Sequence, residues 1–183
     1  LHLCVRNLQN ISDYKNINNH TLLVDVCLAA LHEGESIKTH YPQYEAKYPS
    51  SGSVSTTCTM FARSFADIGD IIRGKDLYRG DNKKDKLESK LKEIFGIIYG
   101  KLKDAAKARY QDDDKKNFYQ LREDWWNINR ETVWKALTCH APHDANYFRQ
   151  TVCSEGTTPT HQKCQCIGGG VPTYFDYVPQ YLR

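Results

Sequence analysis

The sequence predicts an all-α fold, a disulfide-linked helix bundle with long irregular loops. Apolar residues recur at three- and four-residue steps through several segments of helical length. Seven cysteines are scattered along the chain rather than gathered in CxxC pairs, which suits a disulfide framework in an oxidising compartment. Proline and glycine mark the intervals between the periodic segments.

The first helix is opened by His20-Thr21 and runs through the apolar stretch Leu22 to Leu31, with Gly34 as its expected stop. A helix apolar nearly all round belongs at the centre of a bundle. Thr39 to Ser55, with Pro42, Pro49 and Gly52, reads as a loop. The second helix spans about Thr56 to Arg73, its stripe formed by Cys58, Phe61, Ala62, Phe65, Ile68, Ile71 and Ile72, with Gly74 as C-terminal stop. Lys75 to Lys84 is a polar connector. A long third helix from Lys84 to Tyr110 follows Leu87, Leu91, Ile94, Phe95, Ile98 and Leu102; Gly96 and Gly100 inside it allow either close approach or a bend. Asp112-Asp113-Asp114 can N-cap the next segment. From Lys115 to Cys139, Phe118, Leu121, Trp125, Ile128, Val133 and Leu137 trace one helix, or two divided near Asn127 to Asn129. Beyond Cys139 the chain is an irregular, cysteine-tied excursion.

At 183 residues the chain suits one compact domain or two small ones sharing a core. Hydrophobic residues make up 40% and charged ones 26%, and the mean hydropathy is −0.66. That composition excludes a collagen, a coiled-coil rod and a wholly disordered tail. The longest apolar run is broken by Asp25, so a membrane span within the chain is not expected, and no signal peptide is visible. The ends read as cut from a longer ectodomain: Leu1 is not an initiator, and Val178 to Arg183 resembles an element just beginning. Net charge is only +3, from 25 basic and 22 acidic residues. Any basic function is therefore local, and a nucleic-acid partner is not expected. Trp125 and Trp126 point about 100° apart on a helix and cannot form one stacking platform.

Seven is an odd number of cysteines, and Cys4 at the end of the sequence is the natural one to have its partner upstream. The rival is structural zinc among His140, His143, Cys153, His161, Cys164 and Cys166, although their gaps lack finger-like spacing. Asn10-Ile11-Ser12 and Asn19-His20-Thr21 are sequons compatible with secretion.

No catalytic motif occurs: GxSxG, HExxH, a P-loop and GxGxxG are all missing from the sequence. Gly168-Gly169-Gly170 is followed by Pro172-Thr173 rather than a helix start, so a flexible turn is expected there. Asp67 and Asp70 could present two carboxylates on one helix face, or simply a solvated or salt-bridged face. No enzyme, cofactor or metal is expected. The one local charge bias lies between Arg73 and Lys92, where eight Lys or Arg stand against four Asp or Glu. Lys83, Lys84, Lys86, Lys90, Lys92, Lys101, Lys103, Lys107 and Arg109 then form a candidate polyanion or glycan face flanking the third helix. The alternative is an ordinary soluble surface.

Several strings resemble the Duffy-binding-like domains. Leu22-Leu23-Val24-Asp25-Val26-Cys27-Leu28-Ala29-Ala30 is similar to one of their cysteine-bearing helices. Ala62-Arg63-Ser64-Phe65-Ala66-Asp67-Ile68-Gly69-Asp70-Ile71-Ile72-Arg73-Gly74 resembles their most recognisable segment. Trp125-Trp126, Asn129-Arg130, Val133-Trp134 and Ala136-Leu137-Thr138-Cys139 match the tryptophan helix, and Pro172 to Arg183 resembles the close of the middle region. The wording around Asp67 and Val178 is most similar to the alpha class of the malaria-parasite erythrocyte membrane protein 1 family.

The resemblance implies three subdomains: residues 1–19 the tail of the first, 20–167 the middle helical bundle, and 168–183 the lead into the third. It implies a non-catalytic adhesin on the extracellular face of the infected red-cell membrane. Its partners would be host red-cell or endothelial receptors, sulfated or blood-group glycans, and neighbouring domains of the same protein. Receptor choice would sit in Lys75 to Lys86, Tyr110 to Lys116 and Ala141 to His161. A structural spacer, with the receptor site on its neighbours, is the alternative; a secreted disulfide-rich enzyme is a more distant one. Carried over residue by residue, Cys27 and Cys139 match two cysteines that tie helices together, so they are expected to pair. Cys58 is expected to reach the loop cysteines Cys153, Cys164 or Cys166, with the connectivity open.

Overall fold

The computed structural model describes residues 3–47, 57–76, 82–111, 116–147, 149 and 151–183; side chains 44, 45 and 82–85 are also outside the description. Six α-helices appear among these residues: α1 (Arg6–Gln9), α2 (Asn19–Lys47), α3 (Thr57–Arg73), α4 (Asn82–Gly100), α5 (Asp104–Arg109) and α6 (Tyr119–Leu137). Two 3-10 turns, Phe175–Tyr177 and Gln180–Leu182, follow near the C-terminus. No named strand occurs among the described residues; the loop carries only isolated bridges, Cys153 with Thr158 and Gln162 with Gln165.

Asn18 caps α2, its Oδ1 accepting the backbone N–H groups of His20 (2.8 Å) and Thr21 (3.1 Å). The helix does not stop at Gly34. It continues through Pro42 to Lys47, so the first part of the expected loop, Thr39 to Lys47, is helical, and the rest of that loop lies outside the described residues. Gly34 serves close packing instead, since a methyl group there would collide with the backbone carbonyl of Leu137. Gly74 does end α3: its φ is +72°, and Lys75 N donates to Asp70 O at 2.8 Å.

The long third helix is in fact two. α4 ends at Gly100, and Lys101 to Lys103 separate it from α5. Gly96 faces the Phe118 ring at a distance where a methyl group would make ordinary contact, and Gly100 faces open space at the helix end. α6 is one undivided helix entered from Phe118, whose φ of 55° is left-handed. The expected cap at Asp112 to Asp114 lies outside the described residues.

α2, α3 and α6 pack against one another, and α4 adds to the group through α6. Phe65 sits 5.0 Å from the Trp126 ring and 5.2 Å from that of Trp134, while Phe95 meets Trp125 at 6.1 Å. Both neighbouring tryptophans are therefore buried, each against a different helix, as their angular offset requires.

Two disulfides tie the irregular segment down: Cys58–Cys164 joins it to α3, and Cys153–Cys166 closes it on itself. Cys58 thus reaches the loop as expected. These bonds consume the thiols that zinc would need, and no metal-ligating cluster occurs among the described residues. The expected Cys27–Cys139 pair is not formed; Cys4, Cys27 and Cys139 are all free. α2 and α6 do pack, but they touch at Gly34 and Leu137, about 10 Å along α2 from Cys27. Cys139 follows on an exposed turn, and a bridge needs Cα atoms within roughly 7 Å.

Candidate binding surface

The expected basic row is broken up by the fold. Lys83 and Lys84 lie on α4, with their side chains outside the described set. Lys86 is exposed, whereas Lys90 donates to the Tyr14 hydroxyl, stands over that ring at 4.6 Å and lies 3.8 Å from Glu93. The Tyr14 hydrogen bond holds the Lys90 ammonium above its ordinary pKa. Lys101 is spent internally, its ammonium donating to the carbonyls of Ile17 (2.6 Å) and Lys15 (3.2 Å). Arg109 pairs with Asp124 at 3.1 Å. Lys92 and Lys107 are half-buried, and Lys103 is exposed at the start of α5. Because the helix breaks after Gly100, Lys103 and Lys107 leave the α4 flank that a continuous helix would have given them.

What remains is an open groove of ≈ 600 Å³ lined by Gln9, Asn10, Lys86, Ser89, Lys90 and Glu93. α1 and the segment after it form one wall and α4 the other. Asn10, the first sequon asparagine, also borders a second pocket of ≈ 280 Å³ reaching Leu22, Asp25 and Ile94. Burial raises the Asp25 carboxyl above the ordinary range.

A second charged cluster is buried, and sequence reasoning missed it. Arg130 grips Asp176 through Nε (2.9 Å) and Nη2 (2.8 Å), and Trp126 Nε1 donates to the same carboxylate at 2.9 Å. Arg73 bonds Asp70 (3.1 Å), Glu123 (3.2 Å) and the backbone carbonyl of Asp176. Arg183 reaches Asp67 at 3.1 Å and also pairs with Asp70. Asp67 and Asp70 are thus a salt-bridged face, buried rather than solvated. Burial lifts Asp67 to about 6 and raises Asp70, with Arg183 opposing both shifts. For Glu123 burial pushes upward, but Lys75 and Arg73 together bring it below its ordinary value. Arg122, wholly buried, is held by Glu88 at 2.8 Å and donates to the carbonyls of Ile72 (2.6 Å) and Ile71 (3.0 Å), capping the end of α3. The legible signal was arginine within apolar stripes: Arg122 and Arg130 share the face of Trp126 at four-residue steps.

These arginines hold carboxylates shut rather than aim them into a cleft, so the cluster is a clamp and not a reaction centre. The Duffy binding domain family model matches residues 1–183. The chain belongs to that family.

Among solved structures, this Duffy binding domain is similar to the NTS-DBL1(alpha-1) domain of Plasmodium falciparum membrane protein 1 from the varO strain, at 43% identity and TM-score 0.80. That match covers 99% of this chain and 40% of the other. It is likewise similar to the varO NTS-DBL1-alpha and CIDR-gamma double domain, at 40% identity and TM-score 0.75, covering 99% of this chain and 25% of that one. The ICAM-1-binding IT4var13 DBLbeta domain of the same P. falciparum protein family matches at 32% identity and TM-score 0.71, covering 100% and 39% of the two chains. The chain therefore spans under half the length of these relatives. Comparison with curated protein sequences gives no significant match. The matches make this a Duffy-binding-like domain of the membrane protein 1 type, with an all-α, disulfide-linked fold. No helix among the described residues is long and apolar enough to cross a membrane.

Proposed function

We propose that this Duffy binding domain is a non-catalytic adhesion module that captures a sulfated or otherwise acidic glycan, or a host receptor bearing one, on the outer surface of the infected red cell. The observation that carries the reading is the open groove where Lys86 and Lys90 face Gln9 and Asn10. A cationic lip beside amide and hydroxyl groups can pair with sulfate or carboxylate while hydrogen-bonding sugar hydroxyls. Individual contacts of this kind are weak, so neighbouring domains would supply avidity. That a relative is described as binding ICAM-1 supports a receptor role in general. Blood-group sugars remain within the same chemistry of hydroxyl recognition.

The test is retention on heparin as salt is raised. The pair Lys86→Glu and Lys90→Glu should elute at clearly lower salt than the parent. Lys101→Arg, which keeps the exposed charge at that position, should elute unchanged. Equal elution of the Glu pair and the parent would move the site off this groove. The spacer reading is favoured by one observation: Lys90, Lys101 and Arg109 already serve internal contacts. Binding by the full-length protein but not by a chain lacking its other domains would support it.

A further inference from the structure

α4 sets three charges along one edge of the groove. Lys86, Lys90 and Glu93 all line it, and steps of four and then three residues keep them on one helix face. From Lys86 to Glu93 the helix rises about 10 Å, close to the span of two linked sugar rings. The charges are graded along that span. Lys86 stands exposed at one end. Lys90, in the middle, is shared: it donates to the Tyr14 hydroxyl, which donates in turn to Glu93 Oε2 at 2.9 Å. Glu93, at the far end, is negative, and its side chain is 54% exposed. Its contacts with Tyr14 and with Lys90 (3.8 Å) both use Oε2, and no partner among the described residues takes Oε1. Tyr14 lies in the segment joining α1 to α2, and Lys101 holds that segment against the end of α4 through the carbonyls of Lys15 and Ile17. Glu93 is thus set in place before any ligand arrives.

We infer, on the glycan reading proposed above, that Glu93 is a specificity-determining residue of this groove: it selects a glycan whose single acidic group is followed by an uncharged, hydroxyl-bearing ring, and it rejects a chain sulfated on every ring. An acidic group placed between Lys86 and Lys90 gains from two cations. A second one, a ring farther along, would face the Glu93 carboxylate, and like charges at contact repel. A sugar hydroxyl at the same place donates to Glu93 instead, in a charge-assisted hydrogen bond. Gln9 and Asn10 on the opposite wall offer amide donors and acceptors to the remaining hydroxyls. Screening keeps the effect local. The Debye length of about 8 Å at physiological salt is shorter than the rise from Lys86 to Glu93, so the carboxylate spares an anion bound at the Lys86 end.

The experiment uses the full-length protein and two ligands of equal length, a monosulfated lactose and a fully sulfated heparin disaccharide. Dissociation constants are measured for the parent, for Glu93→Gln and for Glu35→Gln, which removes an exposed carboxylate outside the groove. Glutamine keeps an acceptor for the Tyr14 hydroxyl, so the fold around the groove is retained. Glu93→Gln should bind the heparin disaccharide about two- to fivefold more tightly, the range for a charge contact at an exposed site, and the monosulfated lactose no more tightly. Glu35→Gln should match the parent on both. Equal tightening toward both ligands, or none toward the heparin disaccharide, would overturn the role of Glu93. Lys86→Glu with Lys90→Glu separates the two failures. If that pair binds both ligands as the parent does, the groove reading and the selectivity fall together. If it weakens both while Glu93→Gln changes neither, the groove stands and only the selectivity falls.

Discussion

Arg130 and Asp176 form a two-point ion pair in which the carboxylate side chain is 0% exposed and the arginine 15%. The planar guanidinium meets both carboxylate oxygens, and the Trp126 indole fills a remaining acceptor position. This contact fastens the C-terminal 3-10 turns to α6, and Arg73 fastens them to α3. Asp176→Ala should cost about 3–5 kcal/mol, because it leaves a largely buried arginine and an indole N–H without their acceptor. Urea unfolding monitored by circular dichroism checks it; a loss under 1 kcal/mol would show the clamp to be dispensable.

The two disulfides differ in the loop they close. Cys58–Cys164 spans 106 residues and Cys153–Cys166 spans 13, so chain entropy assigns them roughly 5 and 3 kcal/mol. Removing the first by Cys58→Ala with Cys164→Ala should therefore lower stability more than removing the second. A non-reducing peptide map should show these two linkages and no other within the segment. A Cys27–Cys139 peptide would contradict the arrangement.

Gly34 touches the Leu137 carbonyl, and a backbone oxygen cannot swing aside as a side chain can. Gly34→Ala should force α2 and α6 apart and cost about 1–3 kcal/mol, despite alanine's better helix propensity. A stabilised variant in thermal melts would show that the helices do not approach so closely.

Asp67 makes stability depend on pH in an unusual direction for a carboxylate. Burial raises its folded pKa to about 6, above the unfolded value of about 4. The folded state therefore binds the proton more tightly, and that stabilisation is present below pH 4 and lost as pH rises through about 6. Relative to Asp67→Asn, the parent should gain stability as pH falls from 6 to 4. Glu123, whose folded pKa is lowered, acts oppositely and loses its contribution on further acidification. Parallel pH profiles of the thermal midpoint for the parent and Asp67→Asn would reveal the difference, and two superimposed profiles would refute it.

Apolar periodicity located the second helix and α6 because a stripe such as Phe61, Phe65, Ile68 and Ile72 is a local property of the chain. It misjudged Gly34, whose meaning depends on what lies opposite, and it merged α4 with α5 because Leu102 continued the stripe past the real break. The basic face was legible only as composition. Lys101 looks like any surface lysine until Lys15 and Ile17 are folded beside it.

The order of residues alone determined the helical class, the use of cysteine for bridges and the kinship with Duffy binding domains, since each rests on spacing or identity along the chain. Only the tertiary structure decided which cysteines meet, which cations are left to face solvent and which carboxylates are locked away. Those outcomes depend on distances between residues far apart in sequence, and such distances are fixed by how the helices pack.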